Sequence, residues 1–281
     1  MNTEELLGQI RNDRIHGATE LAIMSIEGIQ RVALASDSVD QAGLRQQTQD
    51  LVAALATCRP SMVALGNLLE RLLQSFAHVE TDDFQKLLEL GCTDLLDFVQ
   101  NARTRAVMNM VGLIDANDVV MTHSISSTVR NVFLELKRAE AHNHVIVTES
   151  RPGDEGKILA KFLAEIGVKT TYITEAQIDL WMPKTDKVVL GADTVLPDGS
   201  VINKCGTNLM ALSARYHGIP VYVCAETFKQ SANNDYELEK MDPAELNLGI
   251  AGVNVSNTYF ERVPAELITE WINERPLGSQ T

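Results

Sequence analysis

Residues 187–229 constrain the fold of this chain more than any other segment. They predict a strand that ends on Asp193, a turn with the polar pair Asn203-Lys204, a helix, and a second buried strand that ends on Glu226. Strands that alternate with helices pair in parallel, and such sheets bind small anionic ligands at the carboxyl ends of their strands. The segment therefore predicts a ligand site at one edge of a parallel sheet.

The N-terminal part of the chain has helical periodicity. Apolar residues recur there at three- and four-residue spacing, which is typical of amphipathic helices. The pattern predicts helices over residues 20–36, 40–56, 61–76 and 81–106, with Thr81-Asp82-Asp83 as N-cap side chains for the last. We therefore predict an N-terminal helical domain over residues 1–112.

The pattern changes after about residue 111, where short β-branched runs alternate with amphipathic helices. The predicted strands are 119–124, 144–149, 170–173, 187–192 and 221–225. The predicted helices are one that ends at 137, then 156–166, 176–181, 208–216 and 264–273, with a charged loop at 235–245. The alternation predicts an α/β fold, in which residues 113–281 form a Rossmann-like parallel sheet with helices on both faces.

Charge and composition exclude several classes of function. The net charge is −14 and the Lys and Arg residues are scattered, which argues against direct nucleic-acid binding, because a phosphate backbone demands a positive face. No run approaches the ~18 apolar residues of a membrane span, and the N-terminus has no apolar signal segment. The four cysteines form no CxxC pair, which favours reduced thiols over a zinc site. We predict a soluble, cytoplasmic protein without metal or cofactor.

Hydroxyl and cationic side chains follow the first two predicted strands. Ser124 and a run of hydroxyl residues, 126–128, come after the first strand and enter a helix, which predicts either an anion site or simple N-capping. Arg151 follows the second strand in a glycine-flanked turn, where it could form bidentate contacts with a phosphate. The alternative is a surface arginine paired with Asp154 or Glu155.

The third strand end carries the strongest candidate for proton transfer. Asp193 would serve as a general acid or base if burial raised its pKa. Lys204 would neutralise a phosphate or polarise a carbonyl group. Cys205 lies beside Lys204, but no base is evident next to it, so packing is favoured over nucleophilic catalysis. His123 is interpreted as a hydrogen-bonded structural residue.

The chain resembles a superfamily that joins the α, β and δ subunits of initiation factor 2B with isomerases of methylthioribose 1-phosphate and ribose 1,5-bisphosphate. The likeness covers most of the chain. The motifs that carry it are Arg14-Ile15-His16-Gly17-Ala18, Arg59-Pro60-Ser61-Met62, Thr122-His123-Ser124, Thr148-Glu149-Ser150-Arg151-Pro152, Gly191-Ala192-Asp193, Asn203-Lys204-Cys205-Gly206-Thr207, Ala225-Glu226-Thr227-Phe228-Lys229 and Pro264-Ala265-Glu266-Leu267-Ile268-Thr269.

The resemblance implies a phosphorylated small-molecule ligand, a homodimer or higher oligomer, and an initiation factor 2 complex as a partner. It implies that the phosphate-binding and ligand-binding residues are Arg14, His16, Gly17, Ala18, Arg59, Arg151, Asn203 and Lys204. The isomerases have a Cys at the position of Ser124 and an Asp at that of Asp193, so these two residues are the implied catalytic pair. They also have an Arg where this chain has His16. A serine hydroxyl stays protonated near neutral pH and replaces a thiol poorly.

Three functions are compatible with these residues. The first is an initiation-factor-2B-like regulatory protein, of the α-type or stand-alone, that binds a sugar or nucleotide phosphate. The second is an aldose–ketose isomerase of a ribose 1-phosphate derivative that uses Asp193. The third is a structural subunit without ligand, in which internal salt bridges engage the cleft residues.

Overall fold

Five helices form the N-terminal part of the computed structural model, which describes residues 2–35 and 40–278. They are α1 (Thr3–Asn12), α2 (Ala18–Leu34), α3 (Gln41–Ala56), α4 (Val63–Phe76) and α5 (Phe84–Val111). The periodicity predicted α2 to α5, although Ser36, the predicted end of α2, lies outside the described residues. Asp83 caps α5, as the sequence predicted, by accepting a hydrogen bond from the backbone N–H of Lys86. Helix α1 was not predicted from the sequence.

Buried apolar side chains hold these five helices together. The rings of Phe76 and Phe84 meet edge to face with centroids 5.1 Å apart. Gly28 lets α1 approach α2 closely, since a Cβ at that position would lie 2.4 Å from a methyl group of Leu6. Each large apolar side chain that is fully buried stabilises the fold by about 1.5–3 kcal/mol.

The rest of the described chain alternates strands and helices. Its elements in chain order are β1 (Val119–Thr122), α6 (Ser127–Arg138), β2 (His144–Thr148), α7 (Glu155–Glu165), β3 (Lys169–Ile173), α8 (Ile178–Trp181), β4 (Lys187–Leu190), β5 (Thr194–Val195), β6 (Val201–Lys204), α9 (Thr207–His217), β7 (Val221–Cys224), β8 (Phe260–Val263) and β9 (Glu270–Ile272).

Six of these strands form one parallel sheet in the order β3-β2-β1-β4-β7-β9. One face packs against α5, α6 and α7, and the other against α8 and α9. The predicted α/β fold is confirmed: a helical N-terminal region followed by a parallel sheet covered on both faces. The strand order reverses between β1 and β4, and ligands of doubly wound sheets bind at the carboxyl ends of the strands at such a point.

A second, antiparallel sheet has the order β5-β6-β8. The residue pattern does not predict this sheet, and it places Lys204 in a loop, whereas Lys204 ends strand β6. Leu196, Ile202 and Phe260 of this region belong to the same hydrophobic core as helices α1 to α5. The small sheet therefore fixes the helical part of the molecule against the edge of the parallel sheet.

The predicted helix over residues 264–273 is wrong. Residues Ala265–Leu267 form a single 3-10 turn, and Glu270–Ile272 form strand β9. β9 pairs in parallel with β7, so Tyr222 lies opposite Glu270 and Cys224 opposite Ile272. The β-branched and aromatic residues after Leu267 suit this edge position in the sheet.

The two parts of the chain share their packing. Ala106, Val107 and Met110, near the end of α5, belong to the core under the parallel sheet. Helix α5 ends at Val111, next to the predicted boundary. The division into domains 1–112 and 113–281 stays a prediction.

Candidate functional site

A cleft opens where β1 and β4 end, at the reversal of the strand order. Its free space, counted to the open mouth, is about 580 Å³. The start of α2, the turn before α6, the first residue of α7 and the small sheet surround it. Nine of the ten site residues predicted from the sequence line this cleft: Arg14, His16, Gly17, Ala18, Arg59, Ser124, Asp193, Asn203 and Lys204.

Arg151 is the predicted site residue that does not line the cleft. Its side chain is 47% exposed, and its guanidinium lies 4.0 Å from the carboxylate of Asp154. This is the surface pairing that the sequence left open as the alternative. Arg151 is therefore not a residue of this cleft.

Ser124 lies in the short connection between β1 and α6. Its φ is 65°, a left-handed conformation that residues other than glycine seldom adopt. The backbone N–H of Ser124 donates to Oγ of Ser150 at 2.7 Å, and its hydroxyl donates to Glu155 Oε2 in a short hydrogen bond. The other oxygen, Glu155 Oε1, accepts a hydrogen bond of 2.8 Å from Nζ of Lys204. One carboxylate therefore connects the serine and the lysine of the predicted site.

His123 holds this connection against the neighbouring strands. Its Nε2 lies 2.8 Å from the carbonyl oxygen of Cys205, which can only accept, so Nε2 carries the proton. Its Nδ1 then accepts from the hydroxyl of Thr148 at 2.6 Å. Burial lowers the pKa of His123 to about 4, so the ring is neutral. This agrees with a structural histidine and leaves proton transfer to other residues.

Ser126 caps helix α6. Its hydroxyl accepts from the backbone N–H of Val129 at 3.4 Å. Capping is therefore the observed role of this residue, as one of the two interpretations of the hydroxyl run 126–128 had it.

Asp193 is buried, follows β4, and its carboxylate has no hydrogen-bond or ion-pair partner within the described part of the chain. Burial raises the pKa of Asp193 to about 6; the positive charges of Lys229, Arg59 and Lys204 oppose this shift and the charge of Glu155 adds to it. A carboxyl group with this pKa can both accept and release a proton near neutral pH. This environment is the one that a general acid or base requires.

The raised pKa of Asp193 predicts a pH dependence of stability. Between pH about 4 and about 6 the folded protein retains a proton that the unfolded chain has released, so the free energy of unfolding falls as pH rises. Above that window the cost of the buried charge is constant. We expect Asp193→Asn to remove this slope and to be more stable than the wild type above pH 6. Urea unfolding at pH 4, 5, 6, 7 and 8 measures the slope of stability against pH and the difference in stability between the two proteins. An unchanged slope in the variant would contradict the assignment.

Residues 13–19, which we call the mouth of the cleft, present donors for an anion. The carboxylate of Asp13 accepts from the backbone N–H groups of Ile15 and His16 and from the His16 ring. Burial alone would raise the pKa of Asp13, but these hydrogen bonds hold it below its usual value. Within the described residues, the guanidinium of Arg14 donates to the backbone carbonyls of Arg11 and Asp13, both at 2.9 Å, and to no other group. The first turn of α2, which follows Gly17, has no side-chain cap.

Three other cations of the cleft are already paired with carboxylates. Arg59 is 4% exposed and contacts both oxygens of Glu239 at 3.2 Å. Lys204 pairs with Glu155, as described above. Lys229 pairs with the fully buried Glu226 at 3.4 Å. Arg14 is thus the arginine or lysine at the cleft that lacks a carboxylate partner among the described residues.

The cysteines do not supply a reactive group here. Burial raises the pKa of the Cys205 thiol to about 11, with a further contribution from the charge of Glu261, so little thiolate forms near neutral pH. In the described part of the chain all four cysteines are free, and no cluster of His, Cys, Asp or Glu is suited to hold a metal ion. Within residues 2–35 and 40–278, no helix is long and apolar enough to span a membrane.

Four acidic side chains that line the cleft or pair with its cations were not predicted as site residues. Glu155 and Asp13 line it, Glu239 binds Arg59, and Glu226 was noted but not assigned to Lys229. Glu155 was weighed only as a partner of Arg151. Its position before Gly156, at the start of α7, could have identified it.

The chain matches the model of the initiation factor 2 subunit family over residues 14–277. It belongs to this family. A Pyrococcus furiosus protein described as eIF-2B subunit 2-like is 31% identical over 96% of this chain and 94% of its own length. The ribose 1,5-bisphosphate isomerase of the same organism is also 31% identical, over 96% of this chain and 88% of the isomerase.

A solved structure agrees with this membership of the initiation factor 2 subunit family. The translation initiation factor eIF-2B of Pyrococcus horikoshii OT3 superimposes with a TM-score of 0.85 and is 30% identical, covering 97% of this chain and 94% of that one. The family includes both initiation-factor-like and isomerase relatives at equal identity. Membership of the family therefore agrees with the resemblance seen in the sequence. It does not distinguish an initiation-factor-like function from an isomerase, so the residues of the cleft have to be considered.

Proposed function

We propose that this protein is an initiation-factor-2B-like regulatory protein that binds a sugar or nucleotide phosphate in the cleft at the carboxyl ends of the parallel strands. Arg14 is the observation that carries the proposal. Its guanidinium lines the cleft without a carboxylate partner among the described residues, beside the uncapped first turn of α2. Free backbone N–H groups at a helix start and an unpaired arginine both favour a phosphate.

Binding without turnover is supported by Ser124. A serine stands where the isomerases have their cysteine, and Glu155 already accepts its hydroxyl hydrogen. A hydroxyl that donates to a carboxylate is a weak proton donor to a ligand, because its proton is engaged. The cleft therefore retains phosphate-binding groups while its acid is weakened.

The partners we propose are a second copy of this chain and an initiation factor 2 complex. Helix α9 supports the first, because Leu209, Leu212 and Tyr216 are exposed along one side of it. The names of the initiation-factor-like relatives support the second.

An aldose–ketose isomerase is the second candidate, and the environment of Asp193 favours it. A carboxyl group with a pKa of about 6 could move a proton between neighbouring sugar carbons while Lys204 holds the substrate. The internal ion pairs of Arg59, Lys204 and Lys229 favour the remaining alternative, a structural subunit without ligand.

One set of measurements separates the three. Turnover of ribose 1,5-bisphosphate and methylthioribose 1-phosphate is assayed together with the thermal shift that each ligand causes. Our proposal predicts a shift without turnover. Turnover that disappears in Asp193→Asn would establish the isomerase instead. The absence of both turnover and a thermal shift would establish the structural subunit.

Arg14→Ala should weaken binding of a sugar phosphate about 10- to 100-fold, since a hydrogen bond to a charged group contributes about 1.5–3 kcal/mol. Arg11→Ala is the matched control, because Arg11 carries the same charge nearby but does not line the cleft. Calorimetric titration of both variants with ribose 1-phosphate measures the difference. Equal affinities in the two variants would exclude Arg14 as the phosphate contact.

A further inference from the structure

The two ends of the cleft offer different chemistry. At the mouth, the Asp13 carboxylate is engaged by the N–H groups of residues 15 and 16 and by the His16 ring. The buried Arg59, which donates to the carbonyl oxygen of Asp13, is paired with Glu239. The donors left over are the Arg14 guanidinium and the start of α2. At the buried inner end, formed by Ser124, Glu155, Asp193, Lys204 and Lys229, each lysine already has its carboxylate.

Acceptors are in excess at the inner end. Lys204 pairs with Glu155, and Lys229 pairs with Glu226, which lies outside the lining of the cleft. The carboxylate of Asp193 is then the acceptor without a hydrogen-bond or ion-pair partner in the described chain. Lys204 is further engaged by the ring of Tyr259, whose centroid lies 3.8 Å from Nζ. A neutral hydroxyl group can donate to such acceptors. A second phosphate cannot donate when ionised, and like charges that face each other at low dielectric cost several kcal/mol.

Glu155 is fixed in this place. Its side chain is 12% exposed and is hydrogen-bonded at both oxygens, to Ser124 and to Lys204. The next residue, Gly156, packs directly against the backbone of Thr148. Moving the carboxylate aside would break both hydrogen bonds and leave Lys204 buried without its partner.

We propose that Glu155 restricts the cleft to ligands with a single phosphate, which binds at the mouth while the uncharged, hydroxyl-bearing end lies against Glu155 and Asp193. The inference rests on the proposed function and narrows its ligand to a sugar monophosphate. Glu155 is a specificity-determining residue in this arrangement.

Two ligands that differ only at the second phosphate test the inference. Ribose 1-phosphate and ribose 1,5-bisphosphate are titrated into the wild type, Glu155→Gln, Glu155→Asp and Glu165→Gln. We expect the wild type to bind the monophosphate at least about tenfold more tightly. Glu155→Gln should reduce the ratio of the two affinities, monophosphate over bisphosphate, by about tenfold, because it removes one negative charge and releases Lys204.

The other two variants are controls. Glu155→Asp keeps the charge and should keep the preference. Glu165→Gln removes the same charge from the exposed end of α7, so its ratio should equal that of the wild type. Wild-type protein that binds the bisphosphate equally well, or a ratio that Glu155→Gln leaves unchanged, would overturn the inference while the proposed function stands. Binding of neither ligand by the wild type would overturn both.

Discussion

Lys229→Met is expected to lower the free energy of unfolding by about 3–5 kcal/mol, because it removes one partner of a buried ion pair. Glu226 is fully buried and Lys229 nearly so, with 3.4 Å between the charged groups. The hydroxyls of Thr128 and Thr19 also donate to Glu226, at 2.7 and 3.3 Å, but they carry no charge. Chemical denaturation at pH 7 measures the loss.

Two further variants identify the cause of this loss. Adding Glu226→Gln to Lys229→Met removes the uncompensated charge, so the double variant should recover part of the lost stability. Lys161→Met breaks an exposed pair with Glu165 and should cost about 1 kcal/mol or less. Equal losses in the free energy of unfolding in Lys229→Met and Lys161→Met would show that the buried ion pair stabilises the protein no more than the exposed one. Lys229 also faces Asp193, so its removal should raise the pKa of Asp193 above its value of about 6.

Gly156→Ala should destabilise the protein by at least about 3 kcal/mol, since the new methyl group cannot be accommodated. A Cβ at this position would lie 1.8 Å from the carbonyl oxygen of Thr148, at the end of β2. Both groups belong to regular elements, so the backbone itself must shift. The shift would carry Glu155 away from Ser124 and Lys204, and ligand binding should weaken together with stability.

Gly8→Ala is the matched control for this glycine. Gly8 lies within α1, and a Cβ there meets nothing within 4 Å. The substitution should stabilise the protein by about 0.5–1 kcal/mol, because alanine favours the helix. Thermal unfolding of the two variants measures both changes, a loss of stability in Gly156→Ala and a gain in Gly8→Ala. A Gly156→Ala protein as stable as the wild type would contradict the close packing of α7 on β2.

The parallel sheet could be predicted because its strands are continuous β-branched runs and its helices have a clear period. Strand β9 was not predicted, since Pro264-Ala265-Glu266-Leu267 resembles the start of a helix, and the three residues of β9 are too few to show a strand period before they pair with β7. The antiparallel sheet was missed for a similar reason. Its strand β5 has two residues, too few to show a period, and pairs with β6 only once the chain has folded.

In the cleft, too, residues within local motifs could be predicted and contacts between distant segments could not. Motifs predicted nine of its residues, since Arg14, Asp193 and Lys204 each lie in a recognisable local pattern. Partners of these residues could not be predicted. Arg59 and Glu239 are 180 residues apart in sequence, and no pattern in either segment indicates that they meet. The pKa of Asp193 likewise depends on burial, and the sequence does not show whether this side chain is buried.

Calorimetric titration of ribose 1-phosphate into the wild-type protein measures whether the cleft binds a phosphate ligand. We expect one site per chain with a dissociation constant of about 1 μM to 1 mM, the range in which Michaelis constants for enzyme substrates commonly fall. Arg14→Ala should bind about 10- to 100-fold more weakly in the same titration, whereas Arg11→Ala should keep the wild-type affinity. Absence of binding in the wild type, or identical binding in the two arginine variants, would contradict a phosphate ligand held at the mouth of this cleft.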